Sequence, residues 1–164
     1  MSSASVRHGS ILQVKVPVPF PLRYVNSYLI AGDDGYTLLD PGLHNEDTEA
    51  FWESALKEHG LSFDNIEKIV LTHHHPDHYG IAGWFQERSR AKVLMSQKGY
   101  ELAQAFWGEQ RTMTQKMCKL FLRHGMDEDT AKQMFSHLEQ QVFQVLPHPQ
   151  VEVLQSGQFV FLGQ

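Results

Sequence analysis

Residues 72–80 read Thr72-His73-His74-His75-Pro76-Asp77-His78-Tyr79-Gly80 and follow the apolar run Ile66-Glu67-Lys68-Ile69-Val70-Leu71. That run has the length and β-branched content of a buried strand, and Pro76 marks where an extended backbone gives way to a turn. Four imidazoles and a carboxylate therefore gather in one loop at the end of a strand, where a rigid scaffold commonly presents reactive groups.

His73 and His75 are separated by one residue, so on an extended backbone their side chains point the same way and His74 points the other. Those two can share one ion, whereas His74 is not expected to be a ligand. Asp77 and His78 come after the turn and can hold a second ion close to the first. A mixed nitrogen and oxygen set suits zinc, one ion or two, and is also compatible with iron or manganese. Two histidines make half of a tetrahedral shell, so further ligands must come from elsewhere in the protein. A divalent ion held this way can bring the pKa of a bound water to about 7 and polarise a carbonyl or phosphoryl oxygen, which makes hydrolysis the expected reaction class.

Outward from the cluster, strands and helices alternate. Residues 11–16 alternate apolar and polar as a half-buried strand, after which Pro17, Pro19 and Pro21 oppose regular pairing. Segments 25–31 and 36–39 flank Gly32-Asp33-Asp34-Gly35, the composition of a hairpin turn, and the second segment runs into Asp40-Pro41-Gly42. Asn45 is placed to cap a helix over 46–59, with Glu46, Asp47 and Glu49 at its positive end and Phe51, Trp52, Ala55 and Leu56 on its apolar face. A short helix over 79–87 and a strand over 92–95 follow the cluster.

From residue 97 to about 146 the pattern is helical throughout. Breaks at Trp107-Gly108 and His124-Gly125 divide it into three helices, the last capped by Asp127 or Asp129. This block reads as an insertion into a single domain spanning 1–164. Its Met113, Met117, Met126 and Met134, with Phe106, Trp107, Phe121 and Phe135, can pack a helical core or line a substrate pocket above the metals, and packing is the commoner use of such stripes. Residues 151–162 return to strand character around a turn at Ser156-Gly157.

Composition narrows the function classes. The 164 residues are 41% hydrophobic and carry a net charge of -5, which suits a globular fold and gives no general basic surface for phosphate backbones. Nucleic acid is thus disfavoured as a partner, and a small-molecule substrate is expected. One cysteine, Cys118, cannot close an intrachain disulfide, and no segment resembles a secretion signal or membrane span. A cytoplasmic protein without membrane attachment is expected. His8, His44, His59, His124, His137 and His148 lie outside any metal spacing and are expected at the surface or in caps.

The pattern His73-x-His75-x-Asp77-His78, after Thr72 and before Gly80, resembles the signature of the metallo-β-lactamase fold superfamily. Asn26-Ser27-Tyr28-Leu29-Ile30 and Leu38-Leu39-Asp40-Pro41-Gly42 resemble the hairpin that precedes it. The resemblance implies an α+β fold, two sheets face to face with helices outside, of which this chain would supply the first half together with the helical insertion. It implies that His73 and His75 bind one metal, that Asp77 and His78 bind the other, with Asp77 in the catalytic role, and that Asp40 orients a ligand by hydrogen bonding. It implies a hydrolase in which zinc-bound hydroxide attacks an ester, thioester, lactone or similar bond. An iron-dependent sulfur dioxygenase of the same fold and a non-catalytic metal-binding module are the alternatives.

The family's third histidine, bridging aspartate and last histidine are expected only beyond Gln164. The chain is therefore expected to be a portion of a longer hydrolase, inactive by itself, with weak and substoichiometric zinc binding. A sheet built to face a second sheet is also expected to expose apolar surface and self-associate.

Overall fold

The computed structural model describes residues 5–19 and 21–163. Its seven strands form one sheet in chain order: β1 (Ser5–His8), β2 (Ile11–Pro17), β3 (Tyr24–Ala31), β4 (Tyr36–Leu39), β5 (Ile66–Leu71), β6 (Lys92–Ser96) and β7 (Val151–Leu154). The first four pair antiparallel through short turns. From β4 onward the pairing is parallel, because helices carry the chain back between strands. The result is the expected α+β arrangement, with the carboxyl ends of β4, β5, β6 and β7 along one edge of the sheet.

Period-two burial decides which face is covered. Leu12, Val14 and Val16 of β2, Val25 and Leu29 of β3, Ile69 and Leu71 of β5, and Val93 and Met95 of β6 belong to one buried cluster. Helices α1 (Glu46–Glu58) and α3 (Ala82–Ser89) contribute Trp52, Leu56, Trp84 and Phe85 to the same cluster. Trp52 meets Phe85 edge-on, with ring centroids 5.2 Å apart. The Asn45 side chain accepts from the Thr48 N–H at 2.8 Å and starts α1 where the capping signal places it.

Between β6 and β7 run α4 (Gln97–Trp107), α5 (Thr112–Arg123) and α6 (Glu128–Gln141), three helices with breaks at the two expected dipeptides. Asp127, not Asp129, caps α6, accepting from the Thr130 N–H at 2.9 Å. The Arg111 guanidinium meets the Glu139 carboxylate at 2.7 Å and ties the start of α5 to α6. No helix among the described residues is long and apolar enough to cross a membrane.

Three local expectations need correction. The segment after the histidines forms two helices, α2 (Pro76–Tyr79) and α3, joined through Gly80 and Ile81, where the chain passes close to its neighbours: a Cβ on Gly80 would sit 2.4 Å from the Gln144 carbonyl oxygen. Residues 158–163 form no strand after the turn, so β7 ends at Leu154 without the expected partner. Pro17 does not stop pairing, since it lies opposite Tyr24 at the end of the β2–β3 ladder, an edge position that proline tolerates. Phe20, within the proline-rich crossing, lies outside the described residues.

Candidate metal centre

Strand register brings the site together. Leu39 pairs with Val70, so Asp40 emerges from β4 beside the residues that leave β5, and its N–H donates to the Val70 carbonyl at 3.1 Å. Asp40 has φ 47, a left-handed conformation that aspartate adopts more readily than most side chains. The next residue is fixed from α1, where the buried Trp52 indole N–H donates to the Pro41 carbonyl at 2.7 Å.

The Asp40 carboxylate organises the loop. Its Oδ1 accepts from the Thr72 backbone N–H at 2.8 Å, and its Oδ2 accepts from the Thr72 hydroxyl at 2.6 Å and from His78 Nδ1 at 3.0 Å. The Thr72 hydroxyl has one proton, which goes to Asp40. His73 Nδ1, 2.9 Å from the same hydroxyl oxygen, must then donate its own proton to it. Both His73 and His78 thereby carry a proton on Nδ1, which leaves Nε2 as the nitrogen through which each can act as a ligand when the ring is neutral. Thr72 is a positioning residue that the sequence motif includes without revealing its role, because the role depends on one hydroxyl proton shared between two strand ends.

His73 lies at the centre of the imidazoles, with ring centroids 4.6 Å from His75 and 4.2 Å from His78. His78 Nε2 is 3.7 Å from Asp77 Oδ2. One ligand atom each from Asp40, His73 and His78 lie within 4.8 Å of one another, a grouping able to hold a metal ion. His75 and Asp77 are outside that tight group. His75 is exposed and makes no side-chain hydrogen bond among the described residues.

Electrostatics follow from the same contacts. Burial pushes the Asp40 carboxyl up, but hydrogen bonds from His78 and Thr72 outweigh it and hold the group below the usual carboxylate value. Burial pulls His78 down, yet its bond to Asp40 and the charges of Asp40 and Asp77 raise it overall. His73 is lowered, chiefly by burial and then by His78 and His75, which keeps it neutral and able to donate a lone pair. Burial, with His75 and His73 beside it, pushes His74 down to about 4.

His74 stands apart from the others. Its ring stacks on Phe106 at 5.0 Å, and its backbone carbonyl accepts from the Trp107 indole N–H at 2.7 Å, so the end of α4 grips the loop at its middle residue. His148 is occupied elsewhere: Nε2 bonds the Trp107 carbonyl at 3.1 Å and Nδ1 faces the Tyr79 hydroxyl at 3.4 Å. His44 is a strut, with Nδ1 on the Leu146 carbonyl and Nε2 on Glu49 at 2.7 Å. His59 bonds Ser5 Oγ at 2.9 Å and His137 bonds Gln141 at 3.1 Å. Of the eight methionines and aromatics noted in the helical block, Phe106, Trp107 and Met117 line a cavity beside the loop, while Phe135 lines a separate groove with Cys118.

A mixed sheet that gathers imidazoles and carboxylates at its carboxyl edge has the arrangement of the metallo-β-lactamase fold, and comparison with known proteins agrees. The model of the metallo-beta-lactamase superfamily matches residues 20–153, and the chain belongs to that superfamily. A protein of Bacillus subtilis (strain 168), named "Probable metallo-hydrolase YqjP", is 31% identical over 123 residues, covering 74% of this chain and 37% of that protein. A metallo-beta-lactamase family protein from Thermus thermophilus superposes with a TM-score of 0.77 at 31% identity, covering 95% of this chain and 49% of its own. A beta-lactamase domain protein from Burkholderia ambifaria shares the fold, with a TM-score of 0.71 at 23% identity and coverage of 97% and 44%. The chain thus spans under half the length of each of these three relatives.

Proposed function

We propose that this chain carries the first half of a metal-dependent hydrolase centre, with His73 and His75 holding one ion, Asp77 and His78 holding a second, and Asp40 orienting the ligands. The donor set suits such ions: the His75 and His78 rings neighbour that of His73 at the ends of parallel strands, with centroids 4.6 and 4.2 Å away, and hydrogen bonds at Nδ1 leave Nε2 of His73 and His78 as the nitrogens available to a metal. Asp40 already accepts three hydrogen bonds through its two oxygens, which supports an orienting role over a direct ligand role. Zinc is the metal proposed for this set, and when bound it would activate water and polarise a carbonyl.

The reaction proposed is hydrolysis of an ester, thioester or lactone. Oxygen from water bonds to the acyl carbon, the acyl–oxygen or acyl–sulfur bond breaks, and the departing alcohol or thiol takes up a proton. Asp77 is the catalytic residue proposed, since its carboxylate faces the ligand nitrogen of His78 and can hold the attacking water's proton. The single observation that carries this reading is the Asp40–Thr72–His73 and Asp40–His78 hydrogen bonding, which presets two ligand nitrogens from one buried carboxylate.

Ester and thioester hydrolysis with added zinc, measured beside a His75→Ala control, tests the proposal. Zinc-dependent turnover in a preparation containing the remainder of the fold, abolished by the substitution, is the expected result. Turnover that is indifferent to zinc and to His75 would contradict it.

A further inference from the structure

A cavity of about 380 Å³ opens directly against the histidine loop. His75 and Asp77 form one side, and the helices between β6 and β7 form the other, with Phe106 from α4, Met117 from α5, and Leu138 and Gln141 from α6. The space is a cleft partly open to solvent, so a ligand can enter it from outside. It lies at the small end of ligand-binding pockets, large enough for a chain or ring and too small for a bulky cofactor.

Its chemistry is one-sided. No lysine or arginine lines it among the described residues, so a charged group on the end of a chain held between Phe106, Met117 and Leu138 would be desolvated there without a partner. Gln141 is the polar side chain on the helical side, and its amide nitrogen already bonds His137 at 3.1 Å. Phe106, Met117 and Leu138 supply apolar walls, with methionine able to adapt to a chain's shape.

We propose that this cavity receives the apolar acyl group of an uncharged ester or thioester substrate, and that Phe106, Met117 and Leu138 set the acyl length accepted. The inference rests on the hydrolase reading for the placement of the carbonyl at the His75 and Asp77 end. The acyl group itself is held by the helical walls, so its binding is measurable without metal or turnover.

The test is calorimetric titration of the metal-free 164-residue chain with uncharged carboxamides, acetamide through octanamide, and with a carboxylate-ended analogue of hexanamide. Hexanamide should bind at least about tenfold more tightly than acetamide, as burial of several methylenes requires, and the carboxylate-ended analogue should lose that gain. Leu138→Trp should cut hexanamide affinity about tenfold by filling the space, and Met117→Ala should move the optimum towards octanamide. Equal affinity for acetamide and hexanamide, or hexanamide binding untouched by both substitutions in folded protein, would overturn the proposal. If Leu138→Trp fails to fold, the Met117→Ala series decides alone. Zinc titration of the same proteins separates the two readings: intact zinc binding without acyl selectivity removes only the cavity proposal, and acyl selectivity without zinc binding removes only the metal centre.

Discussion

Thr72 sits at the junction of two functions, because its hydroxyl proton satisfies Asp40 while its oxygen accepts from His73. Replacing it with valine keeps the shape and removes both bonds, so Thr72→Val should lower zinc affinity roughly 10- to 100-fold, while Thr72→Ser should stay near the parent. Competition against a chromophoric chelator measures this, and valine binding as tightly as threonine would show that the relay has no influence. At Asp40 the substitution with asparagine puts an amide where a carboxylate accepted from His78. The Asp40→Asn chain should lose roughly 1–3 kcal/mol of stability in a urea titration, in keeping with a buried charge-assisted bond being broken. A change of a few tenths would mean that His78 takes its orientation from elsewhere.

Between elements, α3 passes close to the Pro147 segment: a Cβ on Gly83 would lie 1.8 Å from the Pro147 carbonyl oxygen. Backbone, not a movable side chain, occupies that space, so Gly83→Ala should cost about 1–3 kcal/mol in denaturant unfolding, and a neutral result would mean the segment can withdraw freely. Trp107→Phe tests the other anchor, removing the donor to the His74 carbonyl at a cost of about 1 kcal/mol. These long-range contacts were the part hidden in the sequence. The strands at Tyr36–Leu39 and Ile66–Leu71 and the helix at Glu46–Glu58 could be read directly, since alternation, capping and turn residues are local signals. The grouping of imidazoles was legible for the same reason. The Thr72 bridge, the Trp107 anchor and the split between α2 and α3 depend on partners far away in the chain, and the second strand expected after Ser156-Gly157 lacks a neighbour to pair with among the described residues.

At the scale of the whole molecule, the outward face of the β2–β3 ladder sets Ile11, Pro17, Tyr24, Tyr28 and Ile30 beside Gln13, Lys15 and Asn26, a face part apolar and part polar. The strongest exposed apolar groups lie instead on the last segment, where Phe159 is 90% and Phe161 is 82% exposed. Self-association through that segment is therefore proposed, with a mass that rises with concentration in sedimentation and falls on Phe161→Ser; a monomer at every concentration would contradict it. The central claim, that one buried carboxylate presets imidazoles for a metal, has a more direct test in zinc titration of the parent chain beside His73→Ala and His78→Ala, each confirmed folded by circular dichroism. Measurable zinc binding in the parent that falls by at least tenfold in both variants is the result predicted. Zinc bound equally well by all three proteins would contradict the account.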